Sequence, residues 1–216
     1  MSWSFKSLIL ALLACTALIT GSCTKEKEYE AVISTKFGDI TILLYNSTPK
    51  HRDNFIKLAN SGFYDSLMFH RVIQNFMIQG GDPNSKKAVP GERIGSGGPG
   101  YEIDAEIGAP HIRGAVAGAR TPNKLKKSSG SQFYIVTGKK LTEEDLNEME
   151  ASKNIKYNDA QRELYLKEGG YPYLDMEYTV FGEVISGMDV VDKISRVQKD
   201  EMDRPYEDIR MTIKMK

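Results

Sequence analysis

FHRVIQNFMIQGGD, residues 69 to 82, sets two short apolar runs around polar residues and places Arg71 and Gln79 among side chains suited to a core. Alternating strand geometry puts Met77 and Gln79 on one face, opposite Phe76 and Ile78. An arginine in such a stretch has two explanations. Either it faces solvent, or the stretch lines a site that is mostly apolar with a few aimed polar groups. Two later segments repeat the composition. GSQFYIVT, residues 130 to 137, sets Gln132 beside Phe133 and Tyr134, and YLDMEYTVFG, residues 173 to 182, sets Leu174 and Tyr178 near a turn.

Working outward, AVISTKFGDITILLY (31 to 45) alternates Ile40, Ile42 and Leu44 with Asp39, Thr41 and Leu43, and Lys36-Phe37-Gly38-Asp39 supplies a turn. Ser47-Thr48-Pro49 predicts a helix start with a capping hydroxyl and a proline in the first turn. Phe55, Leu58 and Ala59 share one face of that helix, which Ser61-Gly62 ends. Met188, Val191 and Ile194 predict a second helix, and Ile209, Met211, Ile213 and Met215 a half-buried closing strand. Short strands, Gly-rich turns and two core helices predict an antiparallel barrel or sandwich. The stretch 139 to 170 differs. It is rich in charges and helix formers, with a capping pattern at Thr142 and Asp145, a second N-cap at Asn158 and a stop at Gly169-Gly170. It predicts a helical surface insertion, too polar to enclose a core alone.

The N-terminus carries one charge, Lys6, ahead of an apolar run shorter than the roughly 18 to 20 residues that a spanning helix needs. Thr20-Gly21-Ser22-Cys23 resembles the processing site of a bacterial lipoprotein, with residues 1 to 22 as signal peptide and Cys23 as the acylated residue. Leu12-Leu13-Ala14-Cys15 also fits, but the polar TKEKEYE directly after Cys23 favours Cys23. Residues 23 to 29 then form a tether, and 30 to 216 one domain anchored to a bacterial membrane in the cell envelope. Cys15 and Cys23 are the only cysteines, so the mature domain expects no internal disulfide. Without Lys6 the chain has 28 basic against 29 acidic residues, which gives no basic excess for nucleic acid.

GERIGSGGPG contains Gly95, Gly97 and Gly100 in a G-x-G-x-x-G spacing. Pro99 interrupts it and no strand-to-helix pattern surrounds it, so it reads as a glycine-lined loop beside a groove. His51, His70 and His111 lack metal-ligand spacing, and His70 reads as a packed, hydrogen-bonded core histidine. Neither a metal site nor a cofactor is expected. A G-x-S-x-G element and a cysteine nucleophile are both missing.

Five ordered blocks together resemble the cyclophilins, the peptidyl-prolyl cis-trans isomerases. They are F-H-R-V-I-x-x-F-M-I-Q-G-G-D, G-S-G-G-P-G-Y, R-G-A-V-A-G-A-R, S-S-G-S-Q-F-Y-I-V and T-V-F-G-E-V, spread from about residue 30 to 215 apart from the insertion. The resemblance implies a closed eight-stranded antiparallel β-barrel capped by two α-helices. It makes Arg71 the catalytic arginine, acting with Phe76 and Gln79. Phe76, Met77, Tyr134 and Leu174 match the walls of a proline pocket, and Gln79 and Gln132 the amides that hold the peptide. Ala119-Arg120 match the backbone edge that pairs with substrate, and Gly95 borders the adjoining pocket. Tyr173 and Tyr178 complete the implied substrate-binding residues, and Tyr173, Tyr178, Arg120 and Gly118 stand where the eukaryotic pattern has tryptophan, histidine, asparagine and methionine. The first three look like bacterial members. The implied partners are proline-containing unfolded polypeptides and, through the lipid, a membrane, with the protein acting as a monomer.

Overall fold

The computed structural model describes residues 27 to 216; Cys15, Cys23 and the first residues of the tether lie outside the described residues. In chain order the elements are β1 (Tyr29–Thr35), β2 (Gly38–Leu44), α1 (Pro49–Asn60), β3 (Leu67–Ile73), β4 (Met77–Gly80), β5 (Glu102–Ile103), β6 (Ala115–Gly118), β7 (Ser128–Ser129), β8 (Phe133–Val136), α2 (Glu143–Lys153), α3 (Asp159–Glu168), β9 (Val180–Ser186), α4 (Met188–Ser195) and β10 (Arg210–Met215). Eight strands close into an antiparallel barrel in the order β1-β10-β3-β4-β8-β6-β9-β2, and β5 pairs with β7 apart from it.

Alternation fills the barrel. Ala31 and Ile33 of β1, Ile40, Ile42 and Leu44 of β2, and Met211 and Ile213 of β10 are all buried in one cluster. Phe55, Leu58 and Ala59 of α1 and Val190, Val191 and Ile194 of α4 join that cluster, so these two helices close the barrel as expected. Closure leaves no unpaired barrel edge. The start of α1 departs from the sequence reading. Thr48 makes no side-chain cap and donates instead to the Tyr45 carbonyl. Glu106, distant in sequence, does the capping, its two oxygens accepting from Lys50 N and His51 N at 3.0 Å each. A carboxylate there also complements the positive end of the helix dipole.

The insertion forms α2 and α3. Both begin with reciprocal capping boxes, Thr142 with Asp145 and Asn158 with Gln161, and Gly169 ends α3. Leu141, Leu146, Tyr157 and Tyr165 make a small apolar cluster, which Ile112 of the main body helps to cover. The insertion therefore has a core, shared with the barrel's surround.

Candidate active site

The site begins with an irregularity in β3. Its pairing with β4 runs Phe69 to Gly80 and then Arg71 to Gln79, so a bulge falls at His70. Strict alternation from Phe69 would drive Arg71 into the barrel. The extra residue resets the parity, leaving Phe69 and Val72 in the barrel core and Arg71 on the outer face beside Gln79. Phe76 also departs from strict alternation, for a different reason. It lies in the turn before β4, after Asn75 in a left-handed conformation (φ 61°), and packs with Met77 instead of opposing it.

The outer face of these strands is covered too. Met77, Ala117, Ala119, Tyr134, Val136 and Val180 form a second apolar cluster, with Phe76, Leu174 and Tyr178 against it. Within β8, Phe133 and Ile135 enter the barrel while Tyr134 and Val136 enter this outer cluster. A cavity of about 100 Å³ opens there, lined by Arg71, Phe76, Met77, Gln79, Ala119, Arg120, Tyr134, Leu174 and Tyr178. Arg71 is less than half exposed. Its Nε lies 3.7 Å from Asp203 Oδ2 and its guanidinium carbon 6.0 Å from the Phe76 ring centre. Sequence reasoning missed Asp203, because its place beside Arg71 comes from a loop 132 positions away. That loop is pinned by Val72 N donating to Asp203 O at 2.9 Å and by Lys199 Nζ donating to Asp203 Oδ1 at 2.7 Å.

The two glutamines are linked. Gln79 Nε2 donates to Gln132 Oε1 (3.0 Å), and Gln132 Nε2 donates to the carbonyls of Gly95 (3.0 Å) and Gly97 (2.7 Å). The glycine loop is held from beneath by buried Asp82, whose Oδ2 accepts from Gly95 N and Gly97 N. A groove of about 420 Å³ adjoins the cavity, lined by Gln79, Gly95, Gly97, Ala119, Arg120, Gln132 and neighbours. The G-x-G-x-x-G spacing thus shapes a groove wall; no strand leads into it and the short β5, not a helix, follows it, so the surroundings of a nucleotide loop are not there.

Other expected residues are placed differently. The Ala119 backbone pairs within the barrel, N to Gln132 O (2.9 Å) and O to Ser129 N (2.7 Å), while Ala119 and Arg120 both line the cavity and the groove. Arg120 lies over the Tyr178 ring at 4.6 Å and donates from Nη2 to Glu177 at 3.0 Å. Tyr173 is 56 % exposed, packs against Tyr171 with the rings tilted by 49°, and does not line the cavity. His70 is buried, but neither ring nitrogen has a hydrogen-bond partner among the described residues. Burial pushes its pKa down to about 4, so it is neutral at physiological pH. No group of three or more metal-ligating side chains occurs among the described residues.

Residues 31 to 214 match the family described as cyclophilin-type peptidyl-prolyl cis-trans isomerase. The chain belongs to the cyclophilin family of peptidyl-prolyl cis-trans isomerases. A Staphylococcus aureus (strain USA300) relative, named as a candidate peptidyl-prolyl cis-trans isomerase, is 34% identical over 186 residues, covering 86% of this chain and 90% of its own. A crystal structure of a cyclophilin from Cryptosporidium parvum superposes with a TM-score of 0.65 at 27% identity, covering 88% of this cyclophilin and 98% of that chain. The same protein in the presence of the dipeptide Ala-Pro gives a TM-score of 0.63 at 27% identity, with coverage of 87% and 98%.

Behind the cavity wall this cyclophilin carries a buried polar network that its sequence did not signal. His111 is fully buried, contacts Asp175 through Nδ1 at 2.8 Å and meets the Tyr134 hydroxyl through Nε2 at 2.9 Å. Burial holds His111 below its ordinary pKa, against the pull of Asp175. Burial works against the Asp175 charge, yet His111 and two tyrosine hydroxyls outweigh it and hold that carboxyl below the usual range.

Proposed function

We propose that this isomerase binds an Xaa-Pro segment with the proline ring in the 100 Å³ cavity and twists the preceding amide beneath Arg71. The observation that carries this is the bulge at His70, which brings a guanidinium to the mouth of an otherwise apolar cavity. The Ala-Pro dipeptide present with the Cryptosporidium relative supports a proline-containing ligand.

Amide resonance opposes rotation by roughly 18–20 kcal/mol, and for Xaa-Pro this makes exchange take tens to hundreds of seconds. No bond is made or broken. Acceleration requires only that the twisted amide be bound better than either planar form. As the amide twists, its nitrogen regains a lone pair that a planar amide does not offer. Arg71 can donate to that lone pair, while Asp203 and the Phe76 ring restrain its guanidinium beforehand. Phe76, Met77, Tyr134 and Leu174 clamp the ring and exclude water, which strengthens the arginine's hydrogen bond. The main-chain groups of Arg120 and the linked Gln79 and Gln132 hold the peptide on either side. The leader and Cys23 support a lipid-anchored enzyme in a bacterial cell envelope that assists folding of envelope proteins.

Replacing Arg71 by Ala is expected to cut kcat/KM at least about tenfold, or roughly 1.4 kcal/mol of transition-state stabilisation, on an Xaa-Pro peptide. Folding should be retained, because the side chain lies outside both apolar clusters. Unchanged turnover in a variant with native circular dichroism would remove Arg71 from the mechanism.

A further inference from the structure

A run of hydrogen bonds joins the helical insertion to the cavity wall, and the isomerisation as described uses none of it. Its hub is Asp175, which follows Leu174 in the chain and is only 4% exposed. Asp175 Oδ2 accepts from the hydroxyls of Tyr157 and Tyr165, each at 2.6 Å. Its Oδ1 accepts from His111 N and His111 Nδ1, each at 2.8 Å. A carboxylate only accepts, so His111 Nδ1 carries the proton and Nε2 is left to accept from the Tyr134 hydroxyl at 2.9 Å. Every hydrogen bond between the insertion and the cavity thus has a fixed direction, and on both sides the donors point towards Asp175.

We propose that Asp175 and His111 are positioning residues for the isomerisation, through which Tyr157 and Tyr165 of the insertion set the placement of Leu174 and Tyr134 in the cavity. This rests on the reading of that cavity as the proline site. Four donors converge on one buried carboxylate, so it cannot shift without leaving some of them unpaired. Leu174 is its covalent neighbour and moves with it. Tyr134 is both hydrogen-bonded to His111 and stacked on it, the rings 6.0 Å apart and inclined by 13°. A displacement of the insertion is thereby passed to two cavity walls at once. A transition state held by shape is sensitive to such shifts, since a misplacement of about 1 Å can cost up to about a hundredfold.

The double variant Tyr157→Phe/Tyr165→Phe removes both hydroxyls while keeping both rings. Exchange of an Ala-Pro peptide would be followed by NMR for the unmodified protein, the double variant, Arg71→Ala and Ile33→Val. Ile33 lies in the barrel core on β1, so its variant reports the effect of lost stability alone. The expected result is a fall of about three- to tenfold in kcat/KM for the double variant, with Ile33→Val within about twofold of the unmodified protein. The ¹⁵N resonances of the His111 ring should move in the double variant and stay unchanged in Ile33→Val. A double variant within twofold of the unmodified protein, or losing no more than Ile33→Val, overturns the proposal. Should the double variant not fold, Tyr157→Phe alone is judged by the same comparison. Retained turnover in Arg71→Ala would overturn the reading of the cavity itself; lost turnover there with an active double variant would overturn only the positioning role.

Discussion

This cyclophilin buries two histidine–carboxylate pairs of nearly equal geometry, and they end in different places. His51 Nδ1 lies 2.7 Å from Glu106 Oε2, and His111 Nδ1 lies 2.8 Å from Asp175 Oδ1. Burial is the main force lowering both histidine pKa values, and the carboxylate opposes it in each. The second partners separate them. Glu106 also caps α1, and His51 Nε2 meets Ser128 Oγ at 3.0 Å, so this pair ties a helix to a strand. Asp175 gathers two tyrosines from the insertion, and His111 ends on Tyr134 in the cavity wall. A buried histidine–carboxylate pair is therefore not evidence of function by itself. What its outer atoms touch decides.

The sharpest way to break this contrast is to remove each carboxylate. Asp175→Ala strands four buried donors and should cost roughly 3–5 kcal/mol of stability. Glu106→Ala removes a helix cap and one histidine partner from a partly exposed position, and should cost roughly 2 kcal/mol. Denaturant titration checks both. Turnover per folded molecule should fall only for Asp175→Ala, because Glu106 contributes nothing to the cavity. Equal turnover in the two variants would mean that both pairs serve stability alone.

The barrel was legible in the sequence wherever one face of a strand is solvated. Ile40, Ile42 and Leu44 alternate because their neighbours reach water, and the capping boxes of α2 and α3 are local enough to be read directly. The site was legible only through its resemblance. In β8 both faces are covered, so Phe133-Tyr134-Ile135-Val136 shows no alternation, and in β3 the bulge shifts the parity at the arginine itself. Asp203, His111, Asp175 and Glu106 could not be found by spacing. Each acts on residues more than 20 positions away or from a loop whose path no local pattern dictates. The hydroxyl expected at Thr48 failed for the same reason: a distant carboxylate took its place.

His70 extends the comparison to a buried histidine with no hydrogen-bonded carboxylate. Burial, helped by Arg71 and Arg204, lowers its pKa to about 4, outweighing the upward pull of Asp82 through space and of the Met68 backbone. The unfolded chain, with a value near 6.5, therefore takes up this proton first as the pH falls. The stability that neutral His70 contributes is complete above about pH 6.5 and is lost as the pH drops towards 4, by about 3 kcal/mol in total. His51 and His111 act in the same direction. His70→Leu should leave stability at pH 7 nearly unchanged, since it removes two unpaired buried nitrogens. Between pH 7 and pH 4 it should lose about 3 kcal/mol less than the unmodified protein in urea titrations. Parallel pH dependence in the two proteins would show that His70 takes up its proton at its ordinary pKa in the folded state.

The smallest expected effect concerns Gly118, where the family's eukaryotic pattern has methionine. A Cβ at this position would lie 2.7 Å from Ser128 Oγ, 2.9 Å from Ser128 Cβ and 3.3 Å from His51 Cδ2. The space that a side chain would fill is thus occupied by the His51–Ser128 pair, and the glycine is what admits it. Gly118 has no positive φ, so alanine meets no backbone strain, only this crowding. Gly118→Ala should displace Ser128, lengthen its 3.0 Å contact with His51 and cost about 1–2 kcal/mol. Adding Ser128→Gly removes the crowding atoms and should return part of that loss, because alanine then occupies the volume that serine vacates. Turnover should change less than about threefold in either variant, since neither residue lines the cavity. A Gly118→Ala protein as stable as the unmodified one would show that Ser128 yields freely, and that the His51 pair holds α1 through Glu106 alone.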